Sequence, residues 1–92
     1  MFEWSEEKNL LLIESRGISF EDVVMAIGVG NLLADEPHFN QNKYPNQGIF
    51  YVLIKNYVYC VPYVKNDNIF LKTIYPSRKA TKKFLKDKKW KQ

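Results

Sequence analysis

Reactive residue types are scarce in this chain. Its 92 residues include one cysteine, Cys60, and one histidine, His38. A single cysteine excludes an internal disulfide, and its place in an apolar run reads as a small buried hydrophobe in a reducing cytosol. One His and one Cys, 22 residues apart, supply no metal-ligand cluster. No glycine-rich loop runs into Lys-Ser/Thr, which excludes nucleotide hydrolysis by a phosphate loop. Serine-nucleophile catalysis needs a histidine base, and nothing places a serine beside His38. No apolar run approaches the roughly 20 residues of a membrane span, and no basic, apolar leader opens the chain. The expectation is one cytoplasmic domain, residues 1–92, with no cofactor and no membrane contact.

Charge is plentiful and segregated. Lys and Arg number 14 against 10 Asp and Glu, for a net charge of +4. Eight of those cations and a single acid fall between residues 78 and 92, so the remainder of the chain is net negative. Hydrophobic residues make up 46% and aromatics 15%, enough for a modest core in a domain that a bound partner would stabilise further.

Phe2-Glu3-Trp4 reads as a short extended entry. Ser5 then caps a first helix, with Glu6 and Glu7 at its positive end and Gly17 at its left-handed stop. The run Leu10-Leu11-Leu12-Ile13 wraps more than half a turn, which predicts burial on more than one side. Ser19 and Asp22 make a capping box for a second helix, stapled by Ile18 and Val23 and ended by Gly28 and Gly30. Leu32-Leu33-Ala34 is a candidate short strand, and residues 35–48 read as a surface loop.

From Ile49 the period becomes two. Residues 49–54 and 57–64 flank Lys55-Asn56, predicting a hairpin that sets Ile54 against Tyr57, Val52 against Tyr59 and Phe50 against Val61. Of its two faces, the one bearing Ile49, Tyr51, Leu53, Val58, Cys60 and Val64 is more aliphatic, and the N-terminal helices are expected there. The tyrosine-bearing face is then left to the C-terminal helix or a partner. Pro62 predicts a bulge or interruption. A turn at 65–68 leads to a strand over Ile69–Tyr75, and Pro76 and Ser77 open a basic helix. The fold class is α+β: two N-terminal helices on a three- to four-stranded antiparallel sheet, plus that helix.

Arg78 and Lys79 stand out because the strand–helix junction fixes them. A guanidinium there can grip a phosphate bidentately and stabilise charge developing in transesterification. Lys72, Lys82 and Lys83 are candidate contacts to a nucleic-acid backbone, positioning it without reading bases. Lys8, Arg16 and Glu21 form a second candidate catalytic group. Strand tyrosines 57, 59, 63 and 75 can stack bases but equally serve a core, and His38 has the intrinsic pKa for proton transfer.

Three stretches, Phe2-Glu3-Trp4-Ser5-Glu6-Glu7-Lys8-Asn9, Arg16-Gly17-Ile18-Ser19-Phe20-Glu21-Asp22 and Ser77-Arg78-Lys79-Ala80-Thr81, resemble in order and spacing the BrnT family of type II toxins. Lys8, Glu21, Arg78 and Lys79 fall on motif positions. Arg16 stands where that family usually has His, Ser5 where it has Asp, Pro76 where it has Ser, and Thr73 where a second Arg is common. The resemblance implies a RelE-like fold and a ribonuclease toxin that blocks translation. It also implies a hetero-oligomer with a cognate antitoxin, typically a ribbon-helix-helix protein encoded alongside. A binding module of the same fold, without nuclease activity, is the alternative.

Overall fold

Lys55 and Asn56 both adopt left-handed backbone, with φ of 53° and 64°. Two such residues in succession make the hairpin turn whose twist matches that of paired strands. In the computed structural model, which describes residues 1–86, this turn joins β3 (Gln47–Ile54) to β4 (Tyr57–Lys65). Their pairing runs unbroken from Ile54↔Tyr57 to Gln47↔Val64, in the register that the two-residue turn dictates. Around this hairpin lie β1 (Phe2–Glu3), α1 (Glu6–Arg16), α2 (Phe20–Gly28), β2 (Leu32–Pro37), β5 (Ile69–Leu71), β6 (Tyr75–Pro76) and α3 (Arg78–Leu85). The architecture is α+β, with helices packed on a sheet, and is compatible with a RelE-like fold.

The sheet is wider than expected and mixed. Its order is β1-β5-β4-β3-β2, with β6 also on β4. The unforeseen pieces, β1 and β6, are two residues each, too short to show a period, and β1 runs parallel to β5. β2 continues three residues past Ala34, on the ladder to β3.

The expected strand over Ile69–Tyr75 is split. Tyr63 faces Leu71 while Cys60 faces Tyr75, so β4 advances three residues where the edge chain advances four. Pro62 sits at this slip with no N–H to offer, and only its carbonyl is used, accepting from Lys72 N at 2.8 Å. One extra residue reverses the facing of everything after it. Ile74 therefore turns into the core, fully buried, and Tyr75 is carried to the opposite face beside Cys60.

The placement of the helices is a correction. α1 and α2 cover the face bearing Phe50, Val52, Val61 and Tyr63, where Leu12, Ile18, Phe20, Val23 and Ala26 join Leu71 and Ile74 in the main core. α3 takes the aliphatic face instead, over Val58 and Cys60, with Ala80 buried and the Phe84 ring 5.3 Å from Tyr51. Tyr57 and Tyr59 are only half-buried at the hairpin's end, Tyr63 sends its hydroxyl to Asp35 at the rim, and the apolar residues between them accept the helices. Gly48 makes this packing possible: a Cβ there would come within 2.7 Å of the Tyr63 ring and 2.8 Å of the Glu36 carbonyl.

The caps follow the sequence. Ser5 accepts from Lys8 N, Gly17 adopts φ 66°, and Ser19 and Asp22 complete a capping box. Burial of α1 on more than one side is not observed: Leu12 is buried while Leu10, Leu11 and Ile13 are exposed. α1 is held to α2 by Asn9, 3% exposed, whose Oδ1 accepts from Phe20 N at 2.7 Å and whose Nδ2 donates to Glu21 Oε1 at 2.8 Å. Asn9→Ala leaves the buried Phe20 N–H without its acceptor, a loss of about 1–3 kcal/mol. Urea denaturation should show the midpoint falling accordingly with an unchanged slope.

Candidate nucleic-acid interface

β4 continues past β6, and its next residue, Val58, has both backbone groups turned away from β3. The first turn of α3 takes them: Ser77 N donates to Val58 O at 3.0 Å, and Val58 N donates to Thr81 Oγ1 at 2.9 Å. Thr81 Oγ1 in turn donates to Ser77 O at 2.7 Å, and Ser77 Oγ accepts from Ala80 N at 3.0 Å. Ser77, Ala80 and Thr81 thus anchor the helix to the strand edge. Arg78 and Lys79, between them, are exposed and take part in none of these bonds.

Electrostatics at this helix start run against the helix's own preference. The positive end of a helix dipole favours acids by about 0.3–1 kcal/mol each. α1 carries Glu6 and Glu7 in its first turn and α2 carries Glu21 and Asp22, whereas α3 has no acid there and has Arg78 and Lys79 instead. Lys79, Lys82 and Lys83, at i, i+3 and i+4, share the outer face of α3, all exposed. The last two also suit the dipole, being near the C-terminal end.

Beside α3 lies the sheet face it leaves partly open. Tyr51, Cys60 and Tyr75 are cross-strand neighbours there. Tyr51 Oη donates to Glu36 Oε1 at 3.2 Å. Burial, and then the Glu36 carboxylate, push the Tyr51 phenol up to about 12. It therefore stays a protonated donor at physiological pH. The Tyr75 phenol is also raised, by burial and then by the Cys60 thiol next to it. Burial raises Cys60 as well, against the pull of the Tyr75 and Ser77 hydroxyls, so the thiol stays neutral and fits its reading as a core residue. Further along this face come Pro62, exposed Phe70, and Lys72, whose Nζ lies 3.5 Å from Gln47 Oε1.

The candidate residues do not all meet. Arg78, Lys79, Lys82 and Lys83 are on α3, and Lys72 is on the same side of the sheet. Arg16, from the helix layer, reaches the junction at the sheet edge, where its Nη1 donates to Ile74 O at 2.6 Å. Lys8 lies eight residues earlier on α1, roughly 12 Å away along the axis. Glu21, at the start of α2, accepts from Asn9, so its carboxylate is part of the helix–helix joint. His38 stacks between Phe39 and Tyr44, its ring centroid 4.7 and 4.4 Å from theirs, and accepts from Asn40 N, all within its own loop. The lysines between 87 and 92 lie outside the described residues.

Sequence reasoning missed Glu36, Tyr51 and the position of Tyr75. Glu36 falls in the stretch that reads as a loop, and the facing of Tyr75 depends on a one-residue slip. Among the described residues no three His, Cys, Asp or Glu side chains cluster to hold a metal ion, and no helix is long and apolar enough to cross a membrane. No family model, curated protein or solved structure matches the chain.

Two measurements probe this geometry. Thr81→Val keeps the shape but strips the acceptor from Val58 N–H, and should lower stability by about 1–3 kcal/mol in chemical denaturation. The second is alkaline titration. Tyr51 and Tyr63 are each raised from 10.0 to about 12, Tyr63 by burial and then by Asp35. A raised phenol contributes stability that is complete below its unfolded value and is lost as pH climbs through the folded one. The contribution of these two phenols should therefore be complete below about pH 10 and be lost as pH climbs from about 10 to 12. Ultraviolet phenolate absorbance should show Tyr51, Tyr63 and Tyr75 ionising late.

Proposed function

We propose that this chain is the toxin of a type II toxin–antitoxin system, a metal-independent endoribonuclease that cleaves RNA and inhibits translation in the cytoplasm until an antitoxin neutralises it. The observation that carries the reading is the reversed electrostatics at the start of α3. Arg78 and Lys79 stand where the helix favours acids and their side chains serve no bond among the described residues, while Ser77, Ala80 and Thr81 anchor the helix that carries them. A phosphate at that position would relieve the conflict, since it meets two cations and a helix N-terminus together. The three ordered stretches resembling the BrnT family agree with it.

In this mechanism the RNA backbone lies along the outer lysines of α3 and the adjoining sheet face. Lys72, Lys79, Lys82 and Lys83 neutralise phosphates, and Tyr75 and Phe70 offer exposed rings for bases to stack on. The ribose 2′-oxygen attacks the adjacent phosphorus as the 5′-oxygen of the next nucleotide leaves. Arg78 faces the charge that gathers on the non-bridging oxygens, where a guanidinium binds bidentately. Arg16 braces the junction through Ile74. Glu36 is the carboxylate on that face available to take the 2′-hydroxyl proton, and its partner, the protonated Tyr51 phenol, is a neutral donor for the departing 5′-oxygen. Glu21 is taken up by its bond from Asn9 in the helix–helix joint, and Lys8 stands in the helix layer away from α3.

A second reading is favoured by specific bonds: Arg16 is spent on Ile74 O and Glu21 on Asn9, which leaves the catalytic group thin. On that reading the chain is a binding module of the same fold, acting through complex formation without cutting RNA.

Expression in a bacterial host should arrest growth with cleavage of messenger RNA, and Arg78→Ala should relieve both. Growth arrest without cleavage, or a harmless wild type that leaves RNA intact, would favour the binding module. Lys79→Glu separates function from folding. It should raise stability by about 0.3–1 kcal/mol by restoring an acid to the helix start, while weakening RNA binding and its salt dependence. A variant that loses stability, or that binds RNA as well as the wild type, overturns the electrostatic argument.

A further inference from the structure

The outer face of α1 carries an apolar surface that the described residues leave uncovered. Leu10 is 64% exposed, Leu11 54% and Ile13 46%, and with Glu7 and Glu14 they line a shallow cleft of about 400 Å³. Three adjacent large apolar side chains left in water in a domain this small signal an interaction site. The inner face of the same helix is fully occupied. Leu12 is in the core, Asn9 joins α2, and Arg16 reaches Ile74. Rotation of the helix cannot hide the outer residues without breaking those contacts.

Helical spacing makes the pattern specific. Glu7, Leu10, Leu11 and Glu14 stand at i, i+3, i+4 and i+7, so two leucines lie between two carboxylates roughly 10 Å apart along the axis. We propose that this face docks a cationic amphipathic helix of a partner protein, one that sets a pair of apolar side chains between two Lys or Arg residues a heptad apart. Charge selects this occupant over the α1 helix of a second copy. Parallel pairing of two α1 helices sets Glu7 against Glu7, and antiparallel pairing sets Glu7 against Glu14, so both place like charges in contact. The basic α3 lies on the other face of the sheet, so a partner on α1 does not meet the cations reserved for phosphate. This inference does not depend on whether the chain cuts RNA.

The probe is a synthetic helical peptide of about four turns with lysines one heptad apart bracketing a leucine pair, compared with the same peptide carrying glutamates in place of the lysines. Binding to the full chain is followed by fluorescence anisotropy. The lysine peptide should bind at least about tenfold tighter than the glutamate peptide, and added salt should narrow the gap. Glu7→Lys combined with Glu14→Lys should reverse the preference, and Leu10→Ser with Leu11→Ser should abolish binding of either peptide. Unchanged circular dichroism and a cooperative melt confirm that these exposed changes leave the fold intact, with Glu7→Lys lowering the melting point slightly because it puts a cation at the start of α1. Equal binding of the two peptides, or no binding of either, overturns the proposal. So does a dimer in sedimentation that Leu11→Ser dissolves, because the face would then belong to a second copy.

Discussion

Pro62 lies in the middle of β4, the central strand of the sheet. β4 has β3 along one side for its whole length, and on the other side it needs a second chain. A residue with no N–H breaks that second ladder, so the edge pairs with β4 in two pieces, β5 and β6, with one residue too many between them. The break turns Ile74 into the core, and Arg16 bonds the carbonyl of that same residue. It also sends Tyr75 to the face of Tyr51 and Cys60, and delivers Ser77 to Val58. The junction at which Arg78 and Lys79 emerge is built from the consequences of that one missing donor.

The stretches that resemble a toxin family divide sharply once each side chain has a location. In the first, Phe2 and Trp4 pack on Phe50 and Phe20, Ser5 caps, and Asn9 ties the helices together. In the second, Gly17 stops a helix and Ser19 and Asp22 start the next. In the third, Ser77, Ala80 and Thr81 staple a helix to a strand. Most of the shared residues therefore encode caps and joints, and a match built on them speaks to fold before chemistry. Arg78 and Lys79 are the exceptions, because they contribute nothing to the joint that holds them and occupy a position the helix dipole disfavours. The case for an anionic ligand rests on that contrast more than on the number of lysines.

The two surfaces so defined have opposite chemistry and lie on opposite sides of the sheet. The α3 side is cationic with exposed aromatic rings, and the α1 side is anionic with exposed leucines. The charge segregation visible along the chain becomes a segregation in space, because α1 and α3 are assigned to different faces.

The helix starts and stops, the hairpin register and the buried cysteine were legible in the residues. Each depends on neighbours within a few positions: a hydroxyl three residues from an amide, a left-handed glycine, a two-residue turn that fixes the pairing of both strands. Which face of the hairpin takes which helices was not legible, since both faces are apolar and only complementary volume decides between them. The exposure of Leu10, Leu11 and Ile13 was hidden for the same reason, as a helical apolar run does not say how many partners will cover it. The facing of Tyr75 depended on a one-residue slip opposite a proline, which the sequence marks as a disturbance without giving its size or direction. Local bonding was thus determined by the sequence alone. The site, which needs Glu36, Tyr51, Tyr75 and Arg78 drawn from four separate segments, was decided only when the chain closed on itself.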